Sequence, residues 1–190
     1  MIDITFDKMT INLLNGLIGA MFESYACDPF EFSPSVFGVV GFKIENRYYQ
    51  LTCNLEKIDR FWREDEVAML RFNECGDHMP ASRMDGGAMI NTPVYDTIIQ
   101  IDLINDLESV SFKNEKRSIC STKGIIFHLL SGNEISFEVD TWFSEMITIQ
   151  RGYNLIDKFT PVDDFLEEWE GCEGYTTAVE RKIISLKQPL

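Results

Sequence analysis

Lys123 to Asp140 reads KGIIFHLLSGNEISFEVD, with a chain reversal in its middle. From Ile135 the pattern is strict: Ile135, Phe137 and Val139 alternate with Glu134, Ser136, Glu138 and Asp140. A period of two puts the apolar side chains on one face of a strand and the acids on the other, the pattern of a strand with one solvated side. Ile125 to Leu130 is apolar almost throughout, and Ser131-Gly132-Asn133 supplies residues that tolerate positive φ, so the stretch predicts a hairpin. A two-residue Gly132-Asn133 loop would set His128 opposite Phe137 on the apolar face. A three-residue loop pairs Leu129 with Ile135 and Phe127 with Phe137, and sets His128 opposite Ser136 on the polar face. One residue of register carries every side chain across the sheet. The three-residue loop is expected, because it gathers Phe127, Leu129, Ile135, Phe137 and Val139 together.

Working outward, Val36 to Asn54 reads as a second hairpin. A turn at Glu45-Asn46 brings Phe42 opposite Tyr49 and Val40 opposite Leu51. Further strands are expected at Ile2–Phe6, Val67–Phe72, Thr97–Ile104, Ser109–Phe112, Met146–Gln150 and Val179–Leu186. Leu14, Leu17, Ile18, Met21 and Phe22 follow helical spacing, although Gly16 and Gly19 interrupt them and the end of the run reads equally as strand. A C-terminal helix is predicted with Thr160 as cap, Pro161 in the first position and Asp163 as capping acid, ending at Gly171. Its apolar face is Val162, Phe165, Leu166 and Trp169. Residues 73–93 form the longest stretch without a regular pattern, and such loops are often functional or mobile.

Strands do not alternate regularly with helices, which argues against a parallel doubly wound sheet. The fold expected is α+β and mostly antiparallel: a bent sheet or partial barrel built from hairpins, with the amphipathic C-terminal helix packed on it. Residues 1–190 fit one domain.

The net charge of −14 argues against holding a nucleic-acid backbone, which needs a positive face. Five scattered cysteines, odd in number and without CxxC spacing, read as reduced thiols in a cytoplasmic protein. No stretch has the apolar length to span a bilayer, so no membrane association is expected. Two histidines exclude a multi-histidine metal site, and no phosphate-loop, nucleophile-elbow or zinc-protease motif occurs; no metal or cofactor is expected.

Two groups of residues carry candidate function. Cys75, Asp77 and His78 combine a thiol, a carboxylate and an imidazole, the components of an activated nucleophile for a hydrolase or transferase. Asp163, Asp164, Glu167, Glu168 and Glu170 line the helix side opposite its apolar face. Pro161 to Tyr175 holds six acids and no Lys or Arg, a local concentration suited to a basic partner. Trp62, Trp142 and Trp169 are candidate anchors there, with core packing as the simpler role. In size, acidity and lack of catalytic motifs the chain is similar to bacterial immunity or anti-toxin proteins, which cover a basic site on a toxin. That resemblance is compositional and assigns no residue. The expectation is a non-catalytic binding domain with an acidic face; a Cys/His/Asp enzyme and a ligand-binding or structural module are the alternatives.

Overall fold

The computed structural model describes residues 1–31 and 33–187. Its elements run β1 (Ile2–Ile4), α1 (Lys8–Asn15), β2 (Met21–Cys27), β3 (Ser35–Phe37), β4 (Val39–Ile44), β5 (Arg47–Arg60) and β6 (Arg63–Glu74). After a loop come β7 (Ile90–Phe112), β8 (Glu115–Leu129), β9 (Glu134–Val139) and β10 (Met146–Gly152), then α2 (Asp163–Glu167) and β11 (Tyr175–Lys187). The sheet is mostly antiparallel and not closed: the strand path runs β3-β10-β9-β8-β7-β2-β4-β5-β6. β1 adds in parallel to β8, and β11 adds to β7.

β7 is the spine. Its first residues pair with β2, from Cys27 opposite Ile90 to Met21 opposite Thr97. The remainder pairs with β8 on one side and β11 on the other. Two separate strands, Thr97–Ile104 and Ser109–Phe112, are expected here, with the polar stretch Asn105-Asp106-Leu107-Glu108 between them. The chain runs through it unbroken, since each of the polar side chains Asn105, Asp106 and Glu108 has a partner on a neighbouring element.

The limb β2-β4-β5-β6 faces the limb β7-β8-β9-β10, and aromatic rings fill the space between. Phe42 of β4 lies 4.9 Å from Phe137 of β9, 5.9 Å from Phe127 of β8 and 5.6 Å from Phe72 of β6, all centroid to centroid. Tilted and edge-on ring pairs at these separations add to the stabilisation from burial itself. The β4–β5 turn adopts positive φ at Glu45 and Asn46, and it pairs Phe42 with Tyr49 and Val40 with Leu51.

The central hairpin corrects its expected register. Phe127 pairs with Ile135 and His128 with Glu134, and the reversal is made by Leu130-Ser131-Gly132. The shift is two residues, so the partition between faces survives: Phe127, Leu129, Ile135, Phe137 and Val139 all enter the main core. The other face differs from expectation. Ser136 and Glu138 are only 2% and 4% exposed, so the supposedly solvated side is covered.

Both helices are shorter than predicted. α1 is capped by Asp7, whose Oδ1 accepts from the Thr10 N–H, and it ends at Asn15. The glycines then turn the chain, with Gly19 at φ 94°, so Leu14 is helical while Phe22 belongs to a strand. α2 starts at Asp163 without a side-chain cap, because its N-cap position falls on Val162, which has no side-chain acceptor; Thr160 lies two residues earlier, and its N–H donates to Glu138 Oε1. The irregular loop packs on β4–β5. A Cβ on Gly41 would lie 2.7 Å from Pro80 Cδ, and Arg83 donates to the Cys53 carbonyl and to Asn54 Oδ1.

Candidate functional site: a charged cleft on the outer face of the sheet

Alternation along β7 places Ile101 and Leu103 in the main core and Asp102, Asp106 and Glu108 on the opposite face. Each acid meets a base there. Asp102 Oδ2 lies 2.8 Å from His128 Nε2, and Arg181 of β11 donates two bonds to Asp106, at 2.8 and 2.7 Å. Lys123 Nζ is 3.1 Å from Glu108 Oε1. A bulge aims that lysine: Ile104 pairs with Gly124 and Asn105 with Thr122, leaving Lys123 as the extra residue. Its ammonium sits 3.6 Å from the Trp142 ring centroid, and the Trp142 indole N–H donates to the same Glu108 oxygen at 2.9 Å.

A fourth pair comes from the other limb. The long β5–β6 hairpin reaches past the end of the sheet and turns at Phe61 and Trp62, which both hold positive φ. Bulky residues adopt that conformation at a cost of order 1 kcal/mol or more each. Packing compensates: Phe61 is buried against Phe165 of α2, and Trp62 carries the Arg117 guanidinium over its ring. The turn delivers Arg60, 2% exposed at its side chain, between the rings of Phe61, Trp142 and Phe143. There it donates two bonds to Glu168, at 2.9 and 2.6 Å.

The segment from Leu155 to Trp169 roofs this face. Leu155 and Phe159 pack with Ile104 and Ile126, and Phe165 packs with Val110 and Ile119. Between sheet and roof lies a cleft of about 220 Å³. Six carboxylates line it, Asp106, Glu108, Glu138, Asp140, Asp164 and Glu168, against two cations, Lys123 and Arg181.

Burial governs the titration of these groups. It pushes Glu108 and Glu138 above the usual carboxylate range and Lys123 below the usual lysine range, so the Glu108–Lys123 pair is nearer to exchanging a proton than an exposed pair would be. Burial also opposes the charge on Arg181, but the bonds to Asp106 outweigh it and raise its pKa. Glu108 is 1% exposed, and its Oε2 accepts no hydrogen bond. An unmet buried carboxylate oxygen is costly, and a donor entering the cleft reaches this one by displacing the side chains that cover it.

The predicted residues fall as follows. Glu168 turns inward onto Arg60 and Asp164 lines the cleft, while Asp163, Glu167 and Glu170 are exposed beside it. Trp142 belongs to the cleft wall, and Trp62 and Trp169 pack with the cluster around Phe61 and Phe165. Cys75, Asp77 and His78 lie on the distant loop. The Cys75 thiol donates to the His78 main-chain carbonyl at 3.6 Å, and burial raises its pKa, away from the thiolate that a nucleophile needs. Sequence reasoning missed Asp106, Glu108, Lys123 and Arg181. One signal was available: Ile125-Ile126-Phe127 is apolar on consecutive positions, as in a strand covered on both faces. Among the described residues no group of side chains is arranged to hold a metal ion, and no helix is long and apolar enough to cross a membrane. No family model, no curated protein and no solved structure matches the chain.

Proposed function

We propose that this chain is a non-catalytic protein-binding domain that receives a cationic side chain of a basic partner in the cleft beneath α2. The observation that carries the reading is Glu108: buried, lining a cleft with three times as many carboxylates as cations, and with one oxygen unpartnered. A guanidinium or ammonium entering there would supply the missing donor, and the Trp142 and Phe143 rings would flank it. The acids of Pro161–Tyr175 supply steering. Among the described residues only Glu168 of that group has an ion-pair partner, which leaves the others free to attract a basic surface. This is the physics that a toxin-covering protein of the immunity type would use.

The test has two arms, both on a partner captured from native lysate at low salt. Neutralising Asp163, Asp164 and Glu167 together should slow association and flatten its salt dependence. Glu168 is left intact, since removing it would strand the buried Arg60 charge. Glu108→Gln made together with Lys123→Gln, so that neither buried charge is stranded, should leave association unchanged and speed dissociation. Unchanged kinetics in both variants, or failure to retain any basic protein, overturns the proposal.

A further inference from the structure

β11 is thirteen residues long, and among the described residues its strand pairing is with β7 alone. Its other edge therefore presents a row of backbone N–H and C=O groups with no strand beside them. Ile183 and Ile184 are 49% and 42% exposed on its two faces. An edge of this length is a template for pairing, and proteins usually blunt such edges with charge, proline or a bulge. β11 contains no proline, and its register against β7 is unbroken from Tyr175 to Lys187.

The charges on this strand select a partner instead of repelling one. Glu180 and Lys182 lie on the same face two residues apart, both more than half exposed, with Nζ and Oε1 3.6 Å apart. In an antiparallel pairing of two copies about a two-fold axis, a residue must lie opposite itself. Centring that axis on Arg181 sets Glu180 opposite Lys182 of the second copy, and Lys182 opposite its Glu180. It also sets Val179 opposite Ile183 and Ala178 opposite Ile184, each pair occurring twice. Centring the axis on Glu180 or Lys182 would set that charge against its own copy, and centring it on Val179 or Ile183 would leave Glu180 and Lys182 opposite uncharged residues, so of these registers the one about Arg181 alone matches the two charges. Arg181 meets its own copy, but each guanidinium is held by its own Asp106 and by the Thr160 carbonyl.

Net charge opposes the pairing, so local complementarity has to carry it. The chain carries −14 overall, so most of its surface resists self-association. β11 holds one acid and three bases, so two copies of it repel in bulk charge, and the pairing rests on the Glu180–Lys182 match and the free backbone edge. We infer that the chain forms a two-fold dimer in which the β11 edges pair antiparallel about Arg181, joining two sheets into one.

Sedimentation equilibrium of the full chain tests this. The wild type should fit a monomer–dimer equilibrium. Glu180→Lys and Lys182→Glu should each weaken dimerisation about tenfold, because either change replaces two opposite-charge pairs by two like-charge pairs. The double variant Glu180→Lys/Lys182→Glu should return to near the wild-type constant. Both positions are exposed, and circular dichroism checks that each variant folds. A wild-type monomer at every concentration overturns the inference, and so does a dimer indifferent to the single swaps or not rescued by the double one. The result is independent of whether a basic partner exists.

Discussion

Replacing Gly124 with alanine probes the joint between sheet and roof. A Cβ there would lie 2.5 Å from the Phe137 carbonyl oxygen, and 2.8 and 2.9 Å from Phe159 Cε1 and Cζ. The two obstacles differ in kind. The carbonyl belongs to β9, held in register with β8 next door at Ile125 and Phe137, so it retreats only by distorting the ladder. The ring can move, but Phe159 is 4% exposed and anchors the roof over Ile104 and Ile126. Overpacking of this sort costs about 1–3 kcal/mol. With a rigid and a packed neighbour both in the way, the upper end applies, about 3 kcal/mol. Phe159→Ala alone should cost about 3–4 kcal/mol for the lost burial. In the double variant the ring clash has gone while the carbonyl clash persists, so the combined loss should fall short of the sum by about 1 kcal/mol or more. Urea unfolding followed by tryptophan fluorescence gives all three values. A Gly124→Ala cost below about 0.5 kcal/mol, or strict additivity, would refute the claim that the glycine exists to seat the ring.

Two other expectations concern titration and reactivity. The bond to Asp102 raises the His128 pKa above its ordinary 6.5, while Asp102, despite burial, is held below 3.8 by that bond among others. Their mutual stabilisation, about 1–2 kcal/mol, is therefore complete between those ordinary values and lost as pH rises through the elevated histidine pKa. The stability difference between wild type and His128→Gln should accordingly be larger near about pH 5.5 than near about pH 9; a difference flat in pH refutes this. Iodoacetamide should modify exposed Cys172 first and Cys75 and Cys120 more slowly, with Cys27 and Cys53 last, their thiols pushed up to about 11 and about 12 by burial. Cys75 reacting ahead of Cys172 would restore the nucleophile reading of Cys75, Asp77 and His78.

The antiparallel β character was legible because alternation is a local property: Val40-Phe42-Ile44 and Ile135-Phe137-Val139 declare their inward faces without help from the rest of the chain. The charged cleft was not legible for the same reason. Glu138, Asp106 and Glu108 carry the same period-two signature whether their face meets water or a roof. Only the placement of Leu155, Phe159 and Phe165, which come later in sequence than all three, decides which. The two-residue displacement of the central hairpin follows similarly. Both registers put the same side chains inward, so hydrophobic pattern alone does not separate them. The C-terminal helix was overextended because Thr160 has the chemistry of a cap, while the chain places the N-cap at Val162 and bonds the Thr160 N–H to Glu138, on a strand twenty-two residues away.

The roof also has a kinetic character of its own. It is strung between β10 and β11, and β11 is fastened to the sheet by β7 alone among the described strands. Arg181 clips the two together by reaching both Asp106 and the Thr160 carbonyl. Opening the cleft therefore takes both the peeling of β11 from β7 and the lifting of Leu155, Phe159 and Phe165 from the sheet, with Arg181 coupling the two, while the aromatic core between the limbs stays shut. Amide hydrogens from Leu155 to Lys187 should exchange together and earlier than those of β4, β8 and β9. The cleft would then open by partial unfolding of Leu155 to Lys187, at a rate set by a strand edge and the packing of the roof and not by the motion of a loop.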